Sequence, residues 1–177
     1  LVTDRFGMLD SAYKFDGIDD YLESSSNFIG ISNHFSAELW LYKPVEWESA
    51  YQKLLGTGTR GDFGFLLSQG PASGERLYSY ITNEQGSQII TGTAQIPTPN
   101  VWHHLMLTYD GQMEKLYLDG ALIGKVGQTG NIYQPGTLKV GWLYGGEFFR
   151  GNLDDVRIFT ESQNSSKVML RSNRVSL

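Results

Sequence analysis

The sequence predicts an all-β protein of antiparallel strands, packed as a sandwich or barrel and followed by one short C-terminal helix. Three observations lead there. Asp110-Gly111 and Asp119-Gly120 each stand between runs of alternating apolar and polar residues. Asp-Gly in that setting is a strong hairpin signal, because a type I′ turn needs positive φ at both central residues. About a dozen short runs of strand character are separated by clusters of Gly, Pro and Asn. The 21 glycines, 10 tyrosines, 9 phenylalanines and 4 tryptophans in 177 residues are the composition of aromatic strands joined by tight turns.

The elements follow in order. Strands are predicted at Ala12–Phe15, Asp20–Glu23 and Phe35–Lys43, the last with Phe35, Ala37, Leu39 and Leu41 inward and Ser36, Glu38, Trp40 and Tyr42 on the other face. Lys53–Gly56, Phe63–Ser68, Leu77–Thr82 and Ser87–Thr91 come next, parted by Gln69 to Gly74 and followed by Gln95 to Asn100. His104–Tyr109, Glu114–Leu118 and Ala121–Val126 form a three-stranded meander around the two Asp-Gly turns. Within it Leu105, Leu107 and Tyr109 share one face, and His104, Met106 and Thr108 the other. Thr137–Trp142 and Leu153–Thr160 complete the strands, and Ser162–Ser172 reads as a helix capped by Ser162 and closed near Asn173.

Composition narrows the function. A chain of 177 residues is long enough for one substantial core, and residues 1–177 are expected to form a single domain. The net charge of −5, with 14 basic residues scattered singly, argues against a nucleic-acid partner. There is no cysteine, so neither disulfides nor Cys-ligated zinc are available. That fits a bacterial or other exported module better than a small animal secreted domain, which usually carries bridges. No apolar run of about 18 residues is present, so no membrane insertion is expected. The chain starts at Leu1 without Met or a signal-peptide pattern, and reads as a piece excised from a larger protein.

Four segments carry a resemblance. They are Ala12-Tyr-Lys-Phe-Asp-Gly-Ile-Asp-Asp-Tyr-Leu-Glu23, Phe35-Ser-Ala-Glu-Leu-Trp-Leu-Tyr-Lys-Pro44, Trp102-His-His-Leu-Met-Leu-Thr-Tyr-Asp-Gly111 running on to Leu116-Tyr-Leu-Asp-Gly120, and Phe149-Arg-Gly-Asn-Leu-Asp-Asp-Val-Arg-Ile-Phe159. In this order, from about Ala12 to Arg171, they resemble the laminin-G-like, concanavalin A-like lectin/glucanase jelly-roll family. The resemblance implies an antiparallel jelly-roll of two packed sheets. It also implies a structural calcium held by Asp154 and Asp16, with the Asp16 or Gly17 carbonyl assisting and Asp19 as an outside candidate. Periodicity supports the first ligand: Val156 and Ile158 are expected to face the core, which places Asp154 inward, and a buried carboxylate needs a partner or a metal. Calcium takes six to eight oxygens at about 2.3–2.6 Å, so carbonyls and water would complete the shell. The alternative is that Asp154 accepts backbone N–H bonds at the strand's rim while Asp16 makes a turn.

The same sandwich serves sugar binding, protein adhesion and hydrolysis, so the site must decide function. The family's glucanases carry Glu-x-Asp-x-Glu on one strand, and no such string occurs here. Glu46 and Glu48 flank Trp47 after Pro44, where a loop is expected. His103 and His104 are neighbours on a strand, point to opposite faces and cannot act together. Arg60-Gly61-Asp62 spells an adhesion tripeptide but lies where a hairpin turn is wanted, and Asn164-Ser165-Ser166 is a formal glycosylation sequon.

The aromatic loops point to sugar. Trp142, Tyr144, Glu147 and Arg150 fall within nine residues around Gly145-Gly146, while Trp47 with Tyr51, and Tyr133, sit in or beside other loops. Flat rings stack on sugar faces, and neighbouring Glu and Arg bond hydroxyls. Trp142, Tyr144, Glu147, Arg150 and Trp47 are therefore the expected carbohydrate contacts, while Phe149, Trp102 and Trp40 are expected to close the sandwich. The predicted function is a non-catalytic recognition module on a secreted or cell-surface protein, binding glycan. A protein-binding or architectural adhesion module is the alternative, and a glycoside hydrolase or lyase the third reading.

Overall fold

The computed structural model describes residues 1–28, 30–44, 51–59, 62–70, 77–83, 88–92, 97–133 and 136–173. Its strands form two antiparallel six-stranded sheets. The first sheet runs, in spatial order, Tyr13–Asp16 (β1), Arg150–Phe159 (β12), Phe35–Tyr42 (β3), Trp102–Tyr109 (β8), Met113–Leu118 (β9) and Ala121–Gly127 (β10). The second runs Leu22–Asn27 (β2), Thr137–Val140 (β11), Gln52–Thr59 (β4), Asp62–Gln69 (β5), Leu77–Thr82 (β6) and Gln88–Gly92 (β7). This is the two-sheet jelly-roll sandwich that the segments implied. Consecutive strands β1 and β2 sit at the edges of different sheets, as do β10 and β7 on the opposite side.

Alternation built the core as expected. Phe35, Ala37, Leu39 and Leu41 of β3 meet Leu105, Leu107 and Tyr109 of β8 and, across the sandwich, Phe65, Leu67, Leu77 and Ile81. Each fully buried Leu or Phe contributes about 1.5–3 kcal/mol. Phe149 joins this core as expected. The Asp119-Gly120 turn has φ of 49° and 81°, as a type I′ hairpin requires, and Leu118 pairs with Ala121 across it. Asp110 instead organises a longer turn by accepting the N–H groups of Gln112 and Met113.

Expectations for the helix cap, Trp142 and Asp154 are corrected. The helix (α1) spans Ser165–Ser172, and its cap is Asn164 rather than Ser162: the Asn164 side chain accepts the Lys167 N–H. Trp142 lies beyond β11, outside any strand. Asp154 does not face the core. Leu153 opposite Leu41 does, and the ladder then skips from Asp154–Trp40 to Arg157–Glu38. This bulge, centred on Asp155 at φ 49°, adds a residue and reverses the side-chain parity, so Val156 and Ile158 pack on the core while Asp154 turns to the sheet's outer face.

That outer face is covered rather than exposed. Helix α1 sets Val168 onto Met106 and Tyr117. Arg5 from the N-terminal segment lies over the Trp40 ring at 4.5 Å. Beneath them Glu38, 2% exposed, accepts from Arg157 at 3.2 Å and Arg171 at 3.0 Å, and faces His104 Nε2 at 3.2 Å. Trp40 is thus buried on the outer face, and Trp102 pairs with Tyr42 there instead of closing an end.

Candidate functional site

The second sheet also has an occupied outer face, and a site is built on it. Strand β6 places Leu77, Ser79 and Ile81 inward and Tyr78 and Tyr80 outward. Beside them stand Lys53 of β4 and Leu66 of β5. The β11–β12 connection folds over this surface, seating Leu143 on Leu66 with Tyr80 and Tyr144 packed alongside. The Lys53 N–H donates to the Glu147 carbonyl at 3.1 Å, which ties the loop to β4.

The result is a cavity of about 360 Å³ lined by Tyr51, Lys53, Tyr80, Tyr144, Gly145, Gly146 and Glu147. Lys53 occupies its floor, with Nζ 2.8 Å from Glu147 Oε2, 3.4 Å from Ser68 Oγ, 5.0 Å from the Tyr144 ring and 5.4 Å from the Tyr51 ring. Glu147 Oε2 is buried and, despite that distance, makes no well-aligned hydrogen bond. Burial, the neighbouring tyrosines and the Glu147 charge all raise the Tyr80 phenol above its ordinary value, so it stays protonated and can donate. Tyr51 stands at the rim, 44% exposed, with Tyr78 beyond it at 6.3 Å between rings. Flat rings, phenol groups and a carboxylate around a cavity of this size suit a small polar ligand with apolar faces.

Of the expected contacts, Tyr144 and Glu147 meet here, joined by Tyr51. Lys53 and Tyr80 were missed, because a Lys and a Tyr inside strand runs carry no sign of which outer face a distant loop will cover. Trp142 is directed elsewhere. Its ring stacks on Phe148 at 5.5 Å and 13°, touches Tyr21 at 5.1 Å and lies under Lys139 Nζ at 4.8 Å, while its Nε1–H donates to the Gly145 carbonyl at 2.8 Å. It latches the loop rather than lining the cavity. Arg150 opens β12 and lines a separate cleft of about 440 Å³ with Lys14, Asp16, Tyr42 and Asn152. Its carbonyl accepts from the buried Lys43 Nζ at 2.8 Å. Trp47, Glu46 and Glu48 lie outside the described residues, as do Arg60 and Gly61; Tyr133 is at the surface, its N–H bonded to the Thr82 carbonyl.

The structure does not bring the two expected calcium ligands together. Asp16 pairs with Arg150, four β12 positions from Asp154, on the order of 13 Å along the strand. Asp154 is held by Arg5 at 2.6 Å and accepts the Asp155 N–H at 2.7 Å. Burial and the neighbouring Asp155 charge outweigh these partners and raise its pKa. Asp16 instead groups with Asp19 and Asp20, whose carboxylate oxygens all lie within 4.8 Å of one another, all exposed. Asp16 Oδ1 accepts the N–H groups of Ile18 and Asp19, which lowers its pKa. Three hard oxygen donors at this separation fit calcium chemistry; the Asp16–Asp154 pair does not fit one ion.

His103 and His104 act apart, as expected of strand neighbours. His103 bonds Asp119 through Nδ1 at 2.6 Å and the Thr98 carbonyl through Nε2 at 2.9 Å, while His104 meets Glu38 on the other face.

Known proteins agree with this architecture. Domain 4 of AbnA, a GH43 extracellular arabinanase from Geobacillus stearothermophilus, in complex with arabinotriose, superposes with a TM-score of 0.71 at 20% identity, covering 92% of this chain and 76% of that one. A heptameric SAP-like pentraxin from Limulus polyphemus gives 0.69 at 15%, covering 90% and 80%. The binding domain of Paraclostridial Mosquitocidal Protein 1 gives 0.69 at 18%, covering 93% of this chain and 46% of that one. At these identities the likeness shows the fold alone. No curated protein sequence matches the chain. The laminin-G-like profile described as the concanavalin A-like lectin/glucanases superfamily matches residues 16–169. With its segments, its two sheets and that match in agreement, the chain belongs to the concanavalin A-like lectin/glucanase superfamily.

Proposed function

We propose that the protein is a non-catalytic recognition module of an exported or cell-surface protein, and that it binds carbohydrate in the tyrosine-lined cavity. The observation that carries this reading is the convergence of Tyr51, Tyr80 and Tyr144 on one cavity with the partly exposed Glu147 carboxylate. A sugar ring stacked on a tyrosine would place a hydroxyl near the exposed part of that carboxylate. One further fact supports it: domain 4 of the arabinanase, the same fold, is described with arabinotriose. The non-catalytic part rests on Glu147 being the one carboxylate among the described lining residues, and it is engaged by Lys53. Glycoside hydrolysis typically uses two, about 5–5.5 or 6.5–9.5 Å apart.

Calcium at Asp16, Asp19 and Asp20 belongs to the same proposal; it would brace the β1–β2 turn. Protein binding is the second reading. What favours it is the sandwich edge, where Tyr13 and Leu22 line a slot of about 200 Å³ and Ile18 and Tyr21 are exposed on the adjoining β1–β2 turn.

Binding to a panel of soluble polysaccharides, with Tyr144→Ala and Tyr80→Phe beside the parent, tests the proposal. Tyr144→Ala should weaken binding about tenfold or more, ~1.4 kcal/mol, and Tyr80→Phe should weaken it by less, with the fold retained in both. Unchanged affinity in Tyr144→Ala would remove the cavity from consideration.

A further inference from the structure

We infer that the tyrosine cavity selects uncharged saccharides and rejects acidic ones, uronates and sulfated sugars alike; this rests on the carbohydrate reading above. A lysine on the floor of a sugar site ordinarily invites a carboxylate or sulfate. Lys53 is not available to one. Its side chain is 5% exposed, its ammonium stands 2.8 Å from Glu147, and Ser68 and two tyrosine rings occupy its remaining approaches. An anion entering the cavity would have to displace Glu147 from the buried Lys53 ammonium or sit beside the Glu147 charge without a partner, and an unpaired charge taken out of water is costly.

The surroundings act in the same direction. The described lining carries one positive and one negative group, which offset each other in charge, and the whole chain carries −5, which repels polyanions at range. The rest of the described lining is uncharged: the Tyr51 and Tyr144 rings, the Tyr80 phenol and the Gly145-Gly146 backbone. Glu147 accepts from hydroxyls and opposes carboxylates. Lys53 therefore serves as the internal counter-ion of the partly exposed Glu147 carboxylate, and the pair sets specificity without contacting an anion.

Affinity electrophoresis tests this, with arabinan, xylan, mannan and mixed-linkage glucan as neutral probes, and polygalacturonate, alginate and heparin as acidic ones. The expected result is retardation by at least one neutral polymer and by no acidic one. Retardation should be unchanged between about 0.02 M and about 0.5 M NaCl, since screening acts on charge–charge attraction and not on stacking. Glu147→Gln releases the Lys53 ammonium, and this variant should gain salt-sensitive retardation by polygalacturonate while losing affinity for the neutral polymer. Stronger retardation of the parent by an acidic polymer, weakening with salt, would overturn the inference and leave the carbohydrate reading standing. If Glu147→Gln folds yet gains no acidic binding, the counter-ion role is wrong. Binding to none of the polymers would overturn both.

Discussion

His103 places each of its ring nitrogens against an acceptor, Asp119 on one side and the Thr98 carbonyl on the other. Burial works to lower its pKa, but the Asp119 hydrogen bond and charge, helped by Thr98, prevail and raise it above 6.5. Asp119 is correspondingly lowered below 3.8: burial opposes this, and the bonds from His103 and the His104 N–H overcome it. A raised histidine stabilises the fold fully below its unfolded value and loses that contribution as pH climbs through the folded one. A lowered aspartate contributes above its unfolded value and loses it as pH falls through the folded one. The melting difference between the parent and His103→Gln should therefore be largest between about pH 4 and 6.5 and shrink above. A difference that grows toward pH 9 would contradict the pairing. Trp142 is the second test at this scale. Its stacking on Phe148 and its bond to Gly145 make Trp142→Ala a loss of packing, so the melting temperature should fall by an amount corresponding to about 2–3 kcal/mol, below the range for a fully buried Trp because this ring is partly exposed. A variant that loses sugar binding at unchanged melting temperature would restore Trp142 as a contact.

The helix and the bulge show what single elements contribute. Asn164 caps α1 by accepting from Lys167, so Asn164→Ala should cost about 1 kcal/mol, or roughly 2–4 °C in a chain of this size. Differential scanning calorimetry reads this directly, and no change would mean the helix is held by Val168 packing alone. The bulge has the larger structural effect. By adding Asp155 to β12 it points Asp154 and Arg157 outward, where they bind Arg5 and Glu38, and leaves Leu153, Val156 and Ile158 for the core. Strict two-residue alternation has no means of registering an inserted residue, and so it placed Asp154 inward.

On the scale of the molecule, Glu38 links elements distant in sequence: Arg157 of β12, Arg171 of α1 and His104 of β8 converge on one buried carboxylate. Removing its charge leaves arginines facing an amide. Glu38→Gln should cost about 3 kcal/mol, at the low end for a broken buried pair because both arginines reach solvent. Chemical denaturation should show this as a lower midpoint with unchanged slope. The calcium proposal is also tested on the whole fold: an ion bound only by the folded state, at a hundredfold excess over Kd, adds about 2.7 kcal/mol. Chelator should lower the melting temperature, and Asp19→Asn should abolish that response while Asp154→Asn leaves it intact. Identical melting in chelator and calcium would dismiss the ion.

The sequence by itself determined the class of fold, the meander, the inward faces of β3 and β8, and the family. Those features are set by local periodicity, by turns that demand positive φ, and by segments whose order is visible along the chain. It also marked Tyr144 and Glu147, because a Gly-Gly pair flanked by rings is a local signal. Only the tertiary structure decided that the loop bearing them lies over β4 and β6, that Lys53 and Tyr80 complete the cavity, and that Trp142 and Arg150 do not. It likewise separated Asp154 from Asp16. The physical reason is the same in each case: which surface a loop covers, and which way a strand faces after a bulge, depend on packing between segments remote in sequence, for which no short pattern exists.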